Sequence, residues 1–306
     1  MDVLPKLVLS YPHIFAILSP REYIVSLSAQ AQKAETLRKL HHGPRILILA
    51  NAWDVASARI IEDLGATAIA TTSAGIAAAL GYPDGEQISR DAMLEVVARI
   101  AAAVRVPVSA DFEAGYSDTL EDLAESIKAL VSSRAVGLNF EDVIGKSESG
   151  HVDLAAQVRK IQTIGDVSKA ALGVPLVLNA RTDIYLMPIG PEATRFDRTV
   201  ERLRAYRQAG ADCVFAPAVK ESSTIAQLVK AVDAPLNILL VPGCPSINEM
   251  GKLGVARVSA GSGVMRSALG HTRRVAQQLL QGDSHAAMLD GAVSFAEVME
   301  LVSRKA

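Results

Sequence analysis

Cysteine is almost absent: Cys213 and Cys244 are the two thiols of a 306-residue chain. Two thiols cannot build a disulfide framework, which points to a reducing compartment and so to the cytoplasm. Aromatic residues are scarce too, at 4% with a single tryptophan, so the apolar mass is Ala, Val, Leu and Ile. Charge of neither sign prevails, because 31 Lys and Arg face 33 Asp and Glu for a net −2. That balance argues against a nonspecific nucleic-acid binder, which carries a basic surplus. Long apolar runs are also missing. None approaches the ~18–20 residues that cross a bilayer, so no membrane association is expected. No low-complexity segment or linker divides the chain, and no G-x-G-x-x-G follows its first β-rich run.

Half of the residues are hydrophobic and 21% are charged, which suffices for a sizeable core. From residue 45 on, short β-rich runs alternate with helical stretches. Strands are expected at 46–50, 68–72, 106–110, 137–140, 175–180, 213–217, 237–241 and 257–260. Helices are expected at 55–64, 90–104, 120–133, 154–172, 198–209 and 225–232, with Gly65 and Gly210 ending two of them. Eight strands alternating with helices over ~230 residues predict an α/β fold, a (β/α)8 barrel of the TIM type. An open doubly wound sheet is the alternative, and the missing glycine fingerprint weighs against it. The barrel is assigned to 29–282 and a C-terminal helical extension to 283–306. Residues 1–28 are an N-terminal arm. Positions 7–18 are apolar and follow Lys6, as in an export signal, but Pro12, His13, Arg21 and Glu22 break that pattern. An added arm, or a start codon placed too early, is the plainer reading.

In such a barrel the chemistry sits at the C-terminal ends of the strands. Those ends read Asn51-Ala52-Trp53-Asp54, Thr72-Ser73-Ala74-Gly75, Asp111-Phe112-Glu113, Asn139-Phe140-Glu141-Asp142 and Asn179-Ala180-Arg181-Thr182-Asp183. A loop carrying Asp84 follows the second. Asp111 and Glu113 stand two apart, so a shared strand would aim them at one face. Carboxylates crowded at neighbouring strand ends repel unless a cation joins them, and an all-oxygen set suits Mg2+. The planar fork of Arg181 suits a substrate carboxylate or phosphate. Blander roles stand beside these. Asp54 could cap the next helix, Asp142 and Asp183 could be caps or ion-pair partners, and Arg181 could merely neutralise the acids. Gly261 and Gly263 could serve a turn or cradle a phosphate. His41 and His42 precede the first strand, at the wrong end, and are expected at the surface. Cys213 is expected in the core.

Five pieces in this order and spacing resemble the isocitrate lyase/phosphoenolpyruvate mutase superfamily over roughly residues 30–280. They are Leu80-Gly81-Tyr82-Pro83-Asp84, Asp111-Phe112-Glu113-Ala114-Gly115-Tyr116, Asn139-Phe140-Glu141-Asp142, Ala180-Arg181-Thr182-Asp183 and Leu253-Gly254-Val255-Ala256-Arg257-Val258-Ser259. The resemblance implies a barrel whose last helix is exchanged between subunits of a homo-oligomer, usually a tetramer. It also implies Mg2+, with Mn2+ as a substitute, and chemistry on a C–C or P–C bond of a small carboxylate substrate. Asp111 then resembles the direct metal ligand, and Asp84, Glu113 and Glu141 the acids that hold the metal mostly through its waters. Arg181 resembles the carboxylate clamp. Thr72, Ser73 and Ala74 fall where the family binds substrate, with Asn139 and Asn179 beside them.

The departures bear on the substrate. Lyases of the family carry a catalytic cysteine followed by Gly-His after the fourth strand; here the stretch reads Ser149-Gly150-His151. A serine is a far poorer proton donor than a thiol, whose ordinary pKa is about 8.5. The glutamate expected after the sixth strand is replaced in Ala216-Pro217-Ala218, and the asparagine after the seventh in Val241-Pro242-Gly243. The expectation is a Mg2+-dependent lyase that cleaves a C–C bond of a small oxo- or hydroxy-dicarboxylate through an enolate. Arg181, Glu141, Ser149 and His151 are its catalytic candidates. P–C bond chemistry, oxaloacetate hydrolysis and a non-catalytic carboxylate-binding barrel are the alternatives.

Overall fold

Short runs rich in Val, Ile, Leu and Ala pair on both edges inside a layer of helices, with their few polar residues buried in the barrel. The structure is a computed structural model and describes residues 20–143, 150–171, 173–187, 190–282 and 284–304. Its strands are β1 (Leu47–Leu49), β2 (Asn51–Ala52), β3 (Ile69–Thr71), β4 (Val108–Asp111), β5 (Gly137–Glu141), β6 (Val177–Arg181), β7 (Cys213–Phe215), β8 (Leu236–Leu239) and β9 (Arg257–Ser259). Every pairing is parallel. β1 and β2 are one stretch broken at Ala50: β1 pairs with β9 and β2 with β3, so the ring closes. Asn51 staples this seam. Its Nδ2 donates to the Thr71 carbonyl oxygen (2.7 Å), and its Oδ1 accepts from the amides of Ala260 and Gly261 (both 2.9 Å). The expected TIM-type (β/α)8 barrel is the fold. The Gly261 amide is thereby engaged inside the protein, and the Gly263 amide donates to the Ala260 carbonyl oxygen (2.9 Å).

The helices are α1 (Pro20–Leu40), α2 (Val55–Asp63), α3 (Ser73–Ala79), α4 (Arg90–Ala103), α5 (Leu120–Ser132) and α6 (Leu154–Asp166). They continue as α7 (Arg195–Gln208), α8 (Ser222–Val232), α9 (Ile247–Lys252), α10 (Gly263–Gln281), α11 (Ala286–Leu289) and α12 (Phe295–Ser303). The helix expected through residue 172 ends its α-helical part at Asp166 and continues in a wider turn, Val167–Ala171. Asp54 does cap α2, through a reciprocal pair of hydrogen bonds with Ser57.

Helix α1 was not assigned from the sequence, and the position-28 boundary of the expected arm falls inside it. Of its residues 27–40 only Gln30, Ala34 and Leu37 are buried, and His41 just past its end continues the stripe. That stripe plugs the N-terminal mouth of the barrel. Ala34 and Leu37 pack on Leu47, Leu49, Ala68, Ala70, Val136 and Val177. Gly137 permits the fit, since a Cβ there would lie 2.8 Å from the Leu37 side chain. Gln30 donates to the carbonyl oxygens of Val131 and Ala135, and Arg38 pairs with Asp212 (2.8 Å). His41 is therefore not a surface residue. It is buried, and burial, helped by the charge of Arg257, pushes its pKa down to about 3. His42 is exposed.

At the other end of the sequence α12 lies against α2, with Arg59 donating to the Leu301 carbonyl oxygen and Arg304 paired with Asp63. Helix α10 buries Met265 alone. Among the described residues no helix is long and apolar enough to cross a membrane.

Candidate active site

Asp111 is the last residue of β4, where the strand leaves the core. The first residue of α3, Ser73, grips it: its amide lies 3.0 Å and its hydroxyl 2.9 Å from Asp111 Oδ2. Asn139, the register partner of Asp111 on β5, donates its Nδ2 to the other oxygen (3.3 Å). Thr72 caps α3 by accepting from the Gly75 amide, and Ala74 follows in its first turn. Asp84 lies at the rim, 3.4 Å from the Ser73 hydroxyl. Partial burial, and then the charge of Asp111, hold its carboxyl above the ordinary range.

Glu113 reaches the same place by another route than expected. β4 ends at Asp111, and Glu113 lies beyond it in the left-handed region (φ 48°). A tight turn, not strand alternation, therefore aims its side chain inward. The turn needs Gly115 (φ 96°), where a Cβ would come 2.8 Å from Leu123 and 2.9 Å from Phe140. Both Glu113 oxygens are engaged: Oε1 accepts from the Tyr116 hydroxyl (2.8 Å) and Oε2 from the Glu86 amide (2.7 Å). Burial is the main cause that raises its pKa to about 7, with Asp111 and Asp84 adding and the Tyr116 hydrogen bond opposing.

Glu141 and Arg181 are the last residues of β5 and β6 and register partners. Arg181 Nη1 lies 2.7 Å from Glu141 Oε2, while Nε and Nη2 grip both oxygens of Asp183 (2.5 and 2.6 Å). Burial works against the guanidinium charge, but Glu141 and Asp183 outweigh it and hold the Arg181 pKa above its ordinary value. Burial raises Glu141 well above the carboxylate range, Arg181 opposes, and Asp183, Asp111 and Glu113 add to the rise. Asp183 thus has its ion-pair role.

Beneath this layer the barrel interior is polar. Asn179, fully buried, donates to Asn139 Oδ1 (2.8 Å), which also accepts from Arg257 (3.1 Å). Asn139 touches the acidic group through Asp111; Asn179 stands one residue layer below. His151 is not brought to the acids. Its Nε2 lies 4.0 Å from Asp142, which is buried and gripped by Arg202 and Tyr206 (both 2.6 Å). Asp142 is accordingly an ion-pair partner. Ser149 lies outside the described residues. Two residues that bear on the site were missed from the sequence, Tyr116 and Glu86. The signal for Tyr116 was its place at the end of the quoted Asp111–Tyr116 piece; Glu86 lies two residues beyond the quoted Leu80–Asp84 piece.

The donor set fits a hard cation. It is made of carboxylates, with no thiol or imidazole, and three of them are held above their ordinary pKa in part by one another. Among the described residues no three His, Cys, Asp or Glu side chains are close enough to ligate one ion directly. An all-oxygen set suits Mg2+, which takes few carboxylates directly and keeps its waters.

The sequence pattern of the phosphoenolpyruvate phosphomutase family matches residues 37–280. A Burkholderia cenocepacia J2315 protein, described only provisionally as a lyase/mutase, superposes with a TM-score of 0.83 at 37% identity, covering 90% of this chain and 98% of that one. The oxaloacetate decarboxylase of Rhodopseudomonas palustris (strain BisB18) is 32% identical over 233 residues, 74% of this chain and 76% of the relative. A phosphonopyruvate hydrolase whose crystal structure holds oxalate and Mg2+ is 22% identical with a TM-score of 0.76, covering 88% and 94% of the two chains. At that identity the likeness speaks for the fold alone. With the family pattern spanning most of the barrel and enzymes among its relatives, the chain belongs to the phosphoenolpyruvate phosphomutase family of the isocitrate lyase/phosphoenolpyruvate mutase superfamily.

Proposed function

We propose that this protein is a Mg2+-dependent carbon–carbon lyase acting on a small oxo- or hydroxy-dicarboxylate. The observation that carries the reading is the group of acids Asp84, Asp111, Glu113 and Glu141 beside Arg181 at the C-terminal ends of the strands. Asp111 would hold the metal directly, and the other three acids through its waters. Bound there, Mg2+ supplies positive charge to the oxyanion that bond cleavage develops. Ser73 and Asn139 keep the Asp111 carboxylate in one orientation. A guanidinium has five N–H donors. Three of those on Arg181 meet Asp183 and Glu141, which among the described residues leaves two for a substrate carboxylate.

The bond broken follows from what position 149 lacks. A hydroxy-acid must lose a hydroxyl proton before its C–C bond breaks, which calls for a base. A β-oxo acid needs none: CO2 leaves, its bonding pair stays on the remaining enolate, and a proton completes pyruvate. An enolate held at the metal can take its final proton from water, so serine in place of the family's proton-donating thiol favours an oxo-dicarboxylate of the oxaloacetate type, in keeping with the decarboxylase relative. The free thiols Cys213 and Cys244 support action in the cytoplasm. The test is a panel of oxaloacetate, 2-methylisocitrate and phosphonopyruvate, with Mg2+ and with EDTA. Mg2+-dependent release of pyruvate from oxaloacetate is expected. Turnover of phosphonopyruvate alone would move the reading to P–C chemistry, and Mg2+ binding without turnover to a binding protein.

The same reading includes exchange of α10, the last helix of the barrel, between subunits. An apolar groove of about 520 Å³ lies over the outer face of β1, lined by Ile46, Ile48, Ile61 and Leu64. Meanwhile α10 leaves Leu269, Leu279 and Leu280 exposed, and Phe295 beyond it is 79% exposed. A groove without a helix and a helix without a groove match when two copies trade them. Light scattering is expected to give a homo-oligomer, with a tetramer near 130 kDa as four chains of 32.4 kDa. Leu64→Glu with Leu280→Glu is expected to lower that mass. A monomeric wild type would end this part of the reading.

A further inference from the structure

Three non-glycine residues around the acidic group sit in the left-handed region: Glu86 (φ 54°), Glu113 (φ 48°) and Tyr116 (φ 54°). Such conformations are strained for residues with a Cβ and persist where the surroundings over-determine them. Here they are members of one hydrogen-bonded unit. Glu86 donates its amide to Glu113 Oε2 (2.7 Å). Its own carboxylate oxygen Oε1 accepts from the amides of Ala114 (3.1 Å) and Tyr116 (2.8 Å). The Tyr116 hydroxyl returns to Glu113 Oε1 (2.8 Å). The loop that carries Asp84 is thus tied to the turn that carries Glu113 by bonds in both directions.

We infer that Glu86 is a positioning residue, which locks the Asp84 loop onto the Glu113 turn so that the two acids reach the metal's water shell as one unit. The inference rests on the metal reading above for its purpose, while the lock itself stands on the hydrogen bonds. The Glu86 carboxylate is turned to backbone amides, which makes it an acceptor of the loop and not a further donor to the cation. Partners of this kind, one step behind the ligands, typically set metal affinity by about 10–100-fold.

The experiment compares Glu86→Ala and Glu86→Gln in the full chain. Amide hydrogen exchange of the metal-free protein reads the lock, and Mg2+ calorimetry reads its consequence. Glutamine keeps an oxygen that accepts both amides; alanine does not. In Glu86→Ala the Ala114 and Tyr116 amides are expected to exchange about tenfold faster or more. Its Mg2+ affinity is expected to fall about 10–100-fold. Glu86→Gln should stay close to wild type in both. Unchanged exchange in Glu86→Ala would overturn the lock whether or not Mg2+ binds. Faster exchange with full Mg2+ affinity would reduce Glu86 to a local structural role and overturn the inference. Equal loss of affinity in both variants would make its charge, not its geometry, the cause, and overturn it as well. A wild type that binds no Mg2+ would fail the metal reading, and the inference about metal waters with it, leaving exchange to report the lock.

Discussion

Asp111→Ala is expected to weaken Mg2+ binding by at least about 100-fold, since partners one step removed from a metal already set 10–100-fold. The fold should survive. Asp111 stands at the end of β4, and the buried Ser73 and Asn139 donors it would abandon border the half-buried position that its side chain vacates. The stability loss should then stay within about 1–3 kcal/mol. Calorimetry with a thermal melt of the same sample checks both. Retained affinity would remove Asp111 from the site. The wild type should bind Mg2+ more tightly as pH rises through about 7, because Glu113 must give up its proton to serve a cation. Metal-free stability should move the opposite way. Folding raises the Glu113 pKa from 4.5 to about 7, so the folded protein holds the extra proton between those values. The stabilisation this gives is complete below about 4.5 and is lost as pH rises toward 7.

Arg181→Met is expected to give the largest loss of stability, about 3–5 kcal/mol at neutral pH. The methionine fills much of the volume but leaves Glu141 and Asp183 without the guanidinium that lies 2.7 and 2.5 Å from them. Both carboxylates are largely shut off from water, so each would carry an uncompensated charge. The physical signature is a steeper pH dependence than the raised Glu113 and Glu141 give the wild type. In the variant the folded state raises the Glu141 pKa further above the unfolded value, because Arg181 no longer opposes the effect of burial. Folding then takes up protons, and stability recovers as pH falls. Denaturant melts at pH 8 and pH 5.5 should show the variant closing part of its gap to the wild type at the lower pH. A pH-independent deficit would mean that lost packing, not unpaired charge, is the cause. Substrate binding should be lost at every pH, since protonating the acids does not restore the fork.

Part of the site was legible because of where burial stops. A parallel barrel strand buries no unpaired acid, so an acid or arginine that follows a largely apolar run marks the mouth. Asp111, Glu141 and Arg181 are each the last residue of their strand. Glu113 was found for a reason the structure replaces: it is aimed by a left-handed turn stapled by Tyr116 and Glu86, not by strand alternation. Helix α1 and the burial of His41 were not legible, since the helix shows one narrow stripe whose value appears only against the barrel floor. His151 was matched to a motif by spacing, but it lies beside Asp142.

By itself the sequence determined the alternation of strand and helix, the number of barrel strands and, to within a residue or two, where they end. These follow from local sterics and from apolar periodicity along a few neighbouring residues. The tertiary structure alone decided the partners: Arg181 with Glu141 across forty positions, Arg257 with Asn139 across the barrel, Glu86 with the turn at 113–116. Those pairings depend on ring closure and on strand register, which set distances between residues far apart in the chain. They also decide which carboxylates stay charged, because burial and neighbouring charge are properties of the assembled mouth and not of any one motif.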